Sequence, residues 1–163
     1  MIPTTPAEFE KLKLECIKRV KQYVDRGNVK LGTTLNYPKV SFDLRGTTAG
    51  KAFYQTNEVK FQPTLLFENP ETFIEQTAGH EVGHLLARFK FRDRGIDPHG
   101  SEWQSVMWYL GLPATRCHNY DTSNVSTKIG QPRQTIVRPN RTPFRVSGGM
   151  ARTDGGITIV ELD

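Results

Sequence analysis

Apolar residues recur at three- and four-residue steps from Phe9 through Leu12, Cys16, Ile17 and Val20 to Val24. That is the period of an amphipathic helix. Thr5 supplies an N-cap and Pro6 an N1 proline, with Glu8 close behind, where the helix dipole favours an acid. The pattern predicts a helix of about five turns that ends near Arg26-Gly27-Asn28. Its other face is basic, with Lys11, Lys18, Arg19 and Lys21. Cys16 lies on the apolar stripe and is expected in the core.

Between residues 38 and 61 the period changes to two. Val40, Phe42 and Leu44 alternate with Ser41 and Asp43, and a turn is expected from Gly46 to Gly50. Ala52-Phe53-Tyr54 and Val59-Lys60-Phe61 flank a turn-like Thr56-Asn57-Glu58. The simplest expectation is a three-stranded antiparallel meander. Helical spacing returns after Asn69-Pro70-Glu71, a cap, an N1 proline and an acid in order. Phe73, Ile74, Ala78, Val82, Leu85 and Leu86 then predict a buried face running to about Phe89. Gly83 interrupts it at a cost of about 1 kcal/mol against Ala, so a neighbouring element is expected to pass close. A charged loop from Arg88 to Asp97 leads to a short third helix, Ser101 to Leu110, stopped by Gly111 and Pro113. Beyond it the chain turns polar. Short β-like runs at 135–137, 144–146 and 157–160 predict a small hairpin or meander. The expected class is α+β: three main helices, a short antiparallel sheet and a β-rich C-terminal tail.

With 163 residues the chain has room for one domain with a real core and a small appendage. No stretch approaches the roughly 20 apolar residues of a membrane span. The first residues lack the basic and apolar regions of a signal peptide. Two cysteines, Cys16 and Cys117, cannot build a disulfide framework. A monomer in the cytoplasm of a bacterium or an infected host cell is therefore expected, with the nucleus left open.

The net charge is +5, and it is unevenly spread. Residues 1–31 carry seven Lys and Arg against four acids, and residues 112–163 again seven against four. The middle, 32–111, carries eight against nine. A basic surplus of this kind allows contact with DNA through the N-terminal helix and the C-terminal tail.

The balanced middle holds the chemistry. His80-Glu81-Val82-Gly83-His84 is an H-E-x-x-H motif inside the second helix, and His99 follows fifteen residues after His84. On a helix the first two histidines share one face, one turn apart. Two imidazoles so placed grip one Zn²⁺ while the adjacent glutamate acts as general base. A catalytic zinc wants a third protein ligand and an open position for water. His99 is the best-placed candidate, after a loop that turns the chain back. His118 is the only other histidine, and a structural or surface role is expected of it. Trp103 and Met107 follow His99 at four-residue steps and are expected to wall the site.

Together these residues resemble the SprT-like metallopeptidase domain, which includes bacterial SprT proteins and the eukaryotic Spartan proteases. The resemblance rests on three blocks in order. They are Asn57 to Leu66, the histidine motif with His99-Gly100 and Trp103, and Leu110-Gly111-Leu112-Pro113-Ala114-Thr115-Arg116. It covers roughly residues 8–120. It implies a small zincin-like α+β fold, zinc held by His80, His84 and His99, Glu81 as the catalytic acid/base, and a protein substrate. Spartan-type members degrade proteins crosslinked to DNA, so the resemblance also implies DNA-associated substrates. One departure stands out. Many members end in a zinc ribbon with paired C-x-x-C ligands, yet residues 119–163 hold no cysteine. The expected division is a SprT-like domain at 1–118 and a basic β-rich extension at 119–163. That extension carries five Lys and Arg and no acid from Lys128 to Arg145.

Two other functions compete with an endopeptidase. A nucleic-acid-binding module with a structural zinc would need a fourth ligand, which His118 is placed to offer. A zinc hydrolase of a non-protein substrate is also compatible with the motif.

Overall fold

A computed structural model describes residues 3–92 and 95–125. The β-like runs expected beyond residue 125, and most of the proposed extension, lie outside the described residues. Helix α1 spans Pro6–Leu31. Thr5 caps it by accepting the Glu8 backbone N–H at 3.1 Å, and Gly32 closes it in the left-handed region at φ 69°. The helix thus runs a turn past the stop read at Arg26-Gly27-Asn28. Gly27 is a packing residue and no terminator: a Cβ there would collide with the Leu86 side chain, so the glycine lets two helices cross closely. Asn28 acts from inside the helix. Its amide oxygen accepts the Leu35 N–H at 3.0 Å and the Thr33 hydroxyl at 2.7 Å, folding back the chain beyond the helix.

The strands are β1 (Lys39–Ser41), β2 (Gly50–Phe53) and β3 (Glu58–Phe61). Their order is β1-β3-β2, and β1 pairs with β3 in parallel while β2 pairs with β3 antiparallel. The antiparallel meander expected from the sequence is thus a mixed sheet. Only the β2–β3 hairpin matches, with Asn57 at its tip at φ 53°. The segment between β1 and β2 is long enough to carry the chain across β3, and period-two patterning is blind to strand order. Central β3 alternates correctly, with Val59 and Phe61 fully buried.

Two further short helices precede the histidine helix: α2 (Pro63–Glu68) and α3 (Pro70–Thr72). Asn69 does not cap the helix after it. Its side chain donates to the Leu65 carbonyl at 3.1 Å and so closes α2 instead. A π-helical turn, Phe73–Thr77, continues directly into α4 (Ala78–Lys90). Helix α5 (Ser101–Leu110) ends on Gly111 in the left-handed region at φ 79°, as expected. Helix α4 lies at the centre and packs on α1, α5 and β2. Cys16, Val20, Val24, Val82, Leu85, Leu86, Trp103 and Val106 are all buried in the shared core. No helix among the described residues is long and apolar enough to cross a membrane.

Candidate metal centre

Central packing makes α4 the rigid part of the site, for every residue from Ala78 to Ala87 is buried. His80 and His84 project from one face, and their Nε2 atoms lie 3.2 Å apart. The segment before α5 brings His99 in from the side, with its Nε2 3.2 Å from that of His80. Ligating atoms of the three histidines all fall within 4.8 Å of one another. Zn–N bonds of about 2.0–2.1 Å in a tetrahedron set nitrogens about 3.4 Å apart. The observed spacing fits an ion held by all three. It is the one such cluster among the described residues.

Electrostatics agree with that use. Burial pushes His80 down to about 3, opposed by a hydrogen bond to the Thr115 backbone and aided by the nearby His118. Burial takes His99 to about 2, assisted by the neighbouring His80 and Arg116. Burial holds His84 well below the ordinary value too, and the two other rings add to the effect. All three imidazoles are therefore neutral at pH 7, the form that ligates metal.

Trp103 forms the floor. Its ring centroid lies 4.9 Å from His80, 5.5 Å from His84 and 4.9 Å from His99. Its Nε1–H points at the His80 carbonyl at 3.4 Å. The close approach expected at Gly83 is found here. A Cβ would stand 2.6 Å from Met107 Sδ and 3.0 Å from Trp103 Nε1. Trp103 and Met107 are thus walls of the site, as the spacing suggested.

Glu81 is 1% exposed, and its Oε2 lies 3.9 Å from His80 Nε2. Its neighbour is the start of β2, a contact the sequence reading missed. A Cβ at Gly50 would lie 2.9 Å from Glu81 Cγ and 3.1 Å from Oε2. The sequence places Gly50 at the end of a turn. It is an ordinary strand residue that has to be small. Nothing in the local pattern separates those two uses of glycine.

After α5 the chain returns as a strap over residues 112–125. His118 donates from Nε2 to the Thr47 carbonyl at 2.9 Å and accepts the Tyr120 N–H at Nδ1, 3.1 Å away. Tyr120 stacks on Phe73 and pairs its hydroxyl with Thr77 at 2.9 Å. Asn124 reaches Glu68 at 2.7 Å. Both ring nitrogens of His118 are thus engaged, one by the Thr47 carbonyl between β1 and β2 and one by the Tyr120 backbone within the strap. A cleft of about 440 Å³ opens between the strap and α4, with His80, Glu81, Thr115, Cys117 and His118 on its walls. Cys16 is buried and Cys117 exposed, both free thiols.

The SprT-like family model matches residues 14–121. The chain belongs to the SprT-like family. Protein SprT of Escherichia coli O157:H7 is 38% identical over 133 residues, covering 77% of this chain and 79% of that protein. Protein SprT of Escherichia coli O139:H28 is 40% identical over the same shares. Protein SprT of Yersinia pseudotuberculosis serotype IB is 36% identical over 124 residues, 76% of this chain and 70% of its own. No solved structure matches the chain. The matched SprT-like segment ends within the strap, at residue 121, after the histidine cluster and the cleft are complete.

Proposed function

We propose that this SprT-like chain is a zinc-dependent endopeptidase of the zincin-like type. The observation that carries the reading is the convergence of three neutral histidines beside the buried carboxylate of Glu81. A zinc ion held there would supply Lewis acidity toward a scissile carbonyl and lower the pKa of a bound water. His80, His84 and His99 hold the ion. Glu81 takes the proton of the attacking water and passes it to the leaving amine. Trp103 keeps the ligand rings in place and excludes water from below. Strand β2 carries the substrate. Among the described residues it pairs only with β3, so its other edge is open to an extended peptide. Gly50 on that strand touches Glu81, so a peptide added there passes the metal centre.

Engagement of both His118 nitrogens by backbone groups of Thr47 and Tyr120 argues against a closed structural site. Three histidines with room beside them favour an open one. The test compares zinc-loaded wild type with Glu81→Gln on an unfolded protein such as denatured casein. Wild type is expected to cut it. The variant should keep its zinc and lose about a hundredfold or more of the rate. Full activity in Glu81→Gln would remove the general base from this account.

A second part of the reading concerns substrates bound to DNA. Lys11, Lys18, Lys21, Arg26 and Lys30 are exposed along α1. Arg26 donates to the Leu110 carbonyl at 2.7 Å and so places this basic helix beside α5. Trp108 is 74% exposed on α5 and packs edge-on against Tyr109. Cations beside an exposed ring suit a single strand, which offers phosphates and stacking bases. Affinity for an oligonucleotide should fall steeply as salt rises. A flat response would leave only the peptidase.

A further inference from the structure

A second, smaller cavity opens beside the metal centre, lined by His84 where the larger cleft is lined by His80 and Glu81. It measures about 130 Å³ and reaches His84. Its walls come from three places. Ala52 of β2 and Tyr54 just beyond it form one side, Leu85 and Arg88 of α4 the second, and Ile96 and Pro98 of the loop before His99 the third. Strand β2 runs alongside α4 here. Gly50 meets Glu81 at one end, and the Arg88 guanidinium lies 5.5 Å from the Tyr54 ring at the other. The pocket therefore borders β2, with His84 and that cation–π pair on its walls.

We infer that this pocket is the specificity subsite, taking one branched aliphatic side chain, of leucine or valine size, from a peptide laid along β2. This rests on the endopeptidase reading above. Size argues for it: a cavity of about 150 Å³ accepts a benzene ring, so one of 130 Å³ admits a leucine side chain and crowds an aromatic one. Chemistry argues for it too. Ala52, Leu85, Ile96 and Pro98 offer carbon, and the stacked Arg88 and Tyr54 close the far end. The 440 Å³ cleft beyond Glu81 is different. It is far larger, with Met107 and Pro113 on its walls as well as Gln76 and Asn119, too wide to grip one side chain. Selection falls on the smaller pocket. Ala52 sets its depth, because a longer side chain there would fill it. Ile96 sets its width.

The test measures binding to the zinc-loaded protein, with two pairs of peptidyl hydroxamates. One pair extends from each side of the zinc-binding group, and its members differ only in isobutyl against methyl at the adjoining position. In one pair the isobutyl compound should bind at least about tenfold tighter. Ala52→Leu should abolish that preference while still binding the methyl compound. Ile96→Ala should admit a benzyl analogue that wild type rejects. Equal binding within both pairs overturns the subsite, as does a preference that survives Ala52→Leu. Discrimination by a protein that cuts no peptide keeps the subsite and removes the peptidase reading. Cleavage of casein without discrimination does the reverse.

Discussion

Glu81 is held against Gly50 at the start of β2 with no room for a side chain between them. Gly50→Ala sets a Cβ 2.9 Å from Glu81 Cγ, inside ordinary van der Waals range. The carboxylate has to shift, and the strand start is less movable than a side chain. A misplacement of about 1 Å costs on the order of a hundredfold in rate. Gly50→Ala is therefore expected to lose about tenfold or more in kcat/KM with its circular dichroism unchanged. Unaltered kcat/KM would mean that β2 does not position the base. At this scale the sequence was most informative where chemistry is local. His80, Glu81 and His84 declare themselves, because a helix sets their spacing. His99 was legible as the nearest remaining histidine with a loop before it. Gly50, Tyr54 and Thr115 were not legible. Their roles depend on which elements pack together, and residue type alone does not encode that.

Among the elements, α4 carries the most constraint. Its glycines mark crossings: Gly83 faces Met107 and Trp103 of α5, and Gly79 faces Tyr23 and Leu112. Gly83→Ala gains up to about 1 kcal/mol of helix propensity and loses about 1–3 kcal/mol to overpacking. The indole of Trp103 cannot bend away, so destabilisation should win. A melting curve should show a lower Tm, and metal affinity should fall as Trp103 leaves the three rings. A Tm equal to or above wild type would contradict the crossing described here. The sequence supported the close approach because an unexplained glycine in an apolar helix asks for a reason. It did not support the strand order. Alternation marked Val59 and Phe61 as buried, but nothing local told β3 to lie between its partners. The π-turn at Phe73–Thr77 was equally hidden, since the apolar face reads through it without a break.

For the whole molecule the histidine cluster couples stability to pH and to metal. His80, His84 and His99 all have lowered values in the fold, against about 6.5 in the unfolded chain. Below about 6.5 the unfolded state takes up more protons than the folded one, so stability falls with falling pH. It falls through the range from 6.5 down toward the folded values near 3 for His80 and 2 for His99. In the presence of a chelator, Tm should therefore drop between pH 7 and pH 4.5. Replacing the three histidines together should reduce that slope to the part owed to the remaining groups, among them His118, which burial lowers to about 4. An equal slope in wild type and the triple variant would place the acid sensitivity elsewhere. Metal acts in the opposite direction. Zinc at one hundred times its Kd adds about 2.7 kcal/mol by mass action, a rise in Tm that EDTA should reverse.

The central claim is an open metal centre built by three histidines, and X-ray absorption at the zinc edge of the loaded protein tests it most directly. Three nitrogens at about 2.0–2.1 Å with one oxygen at a similar distance, and no sulfur, is the result expected here. A shell of four protein ligands, or sulfur at about 2.3 Å, would mean a closed structural site and would contradict the account.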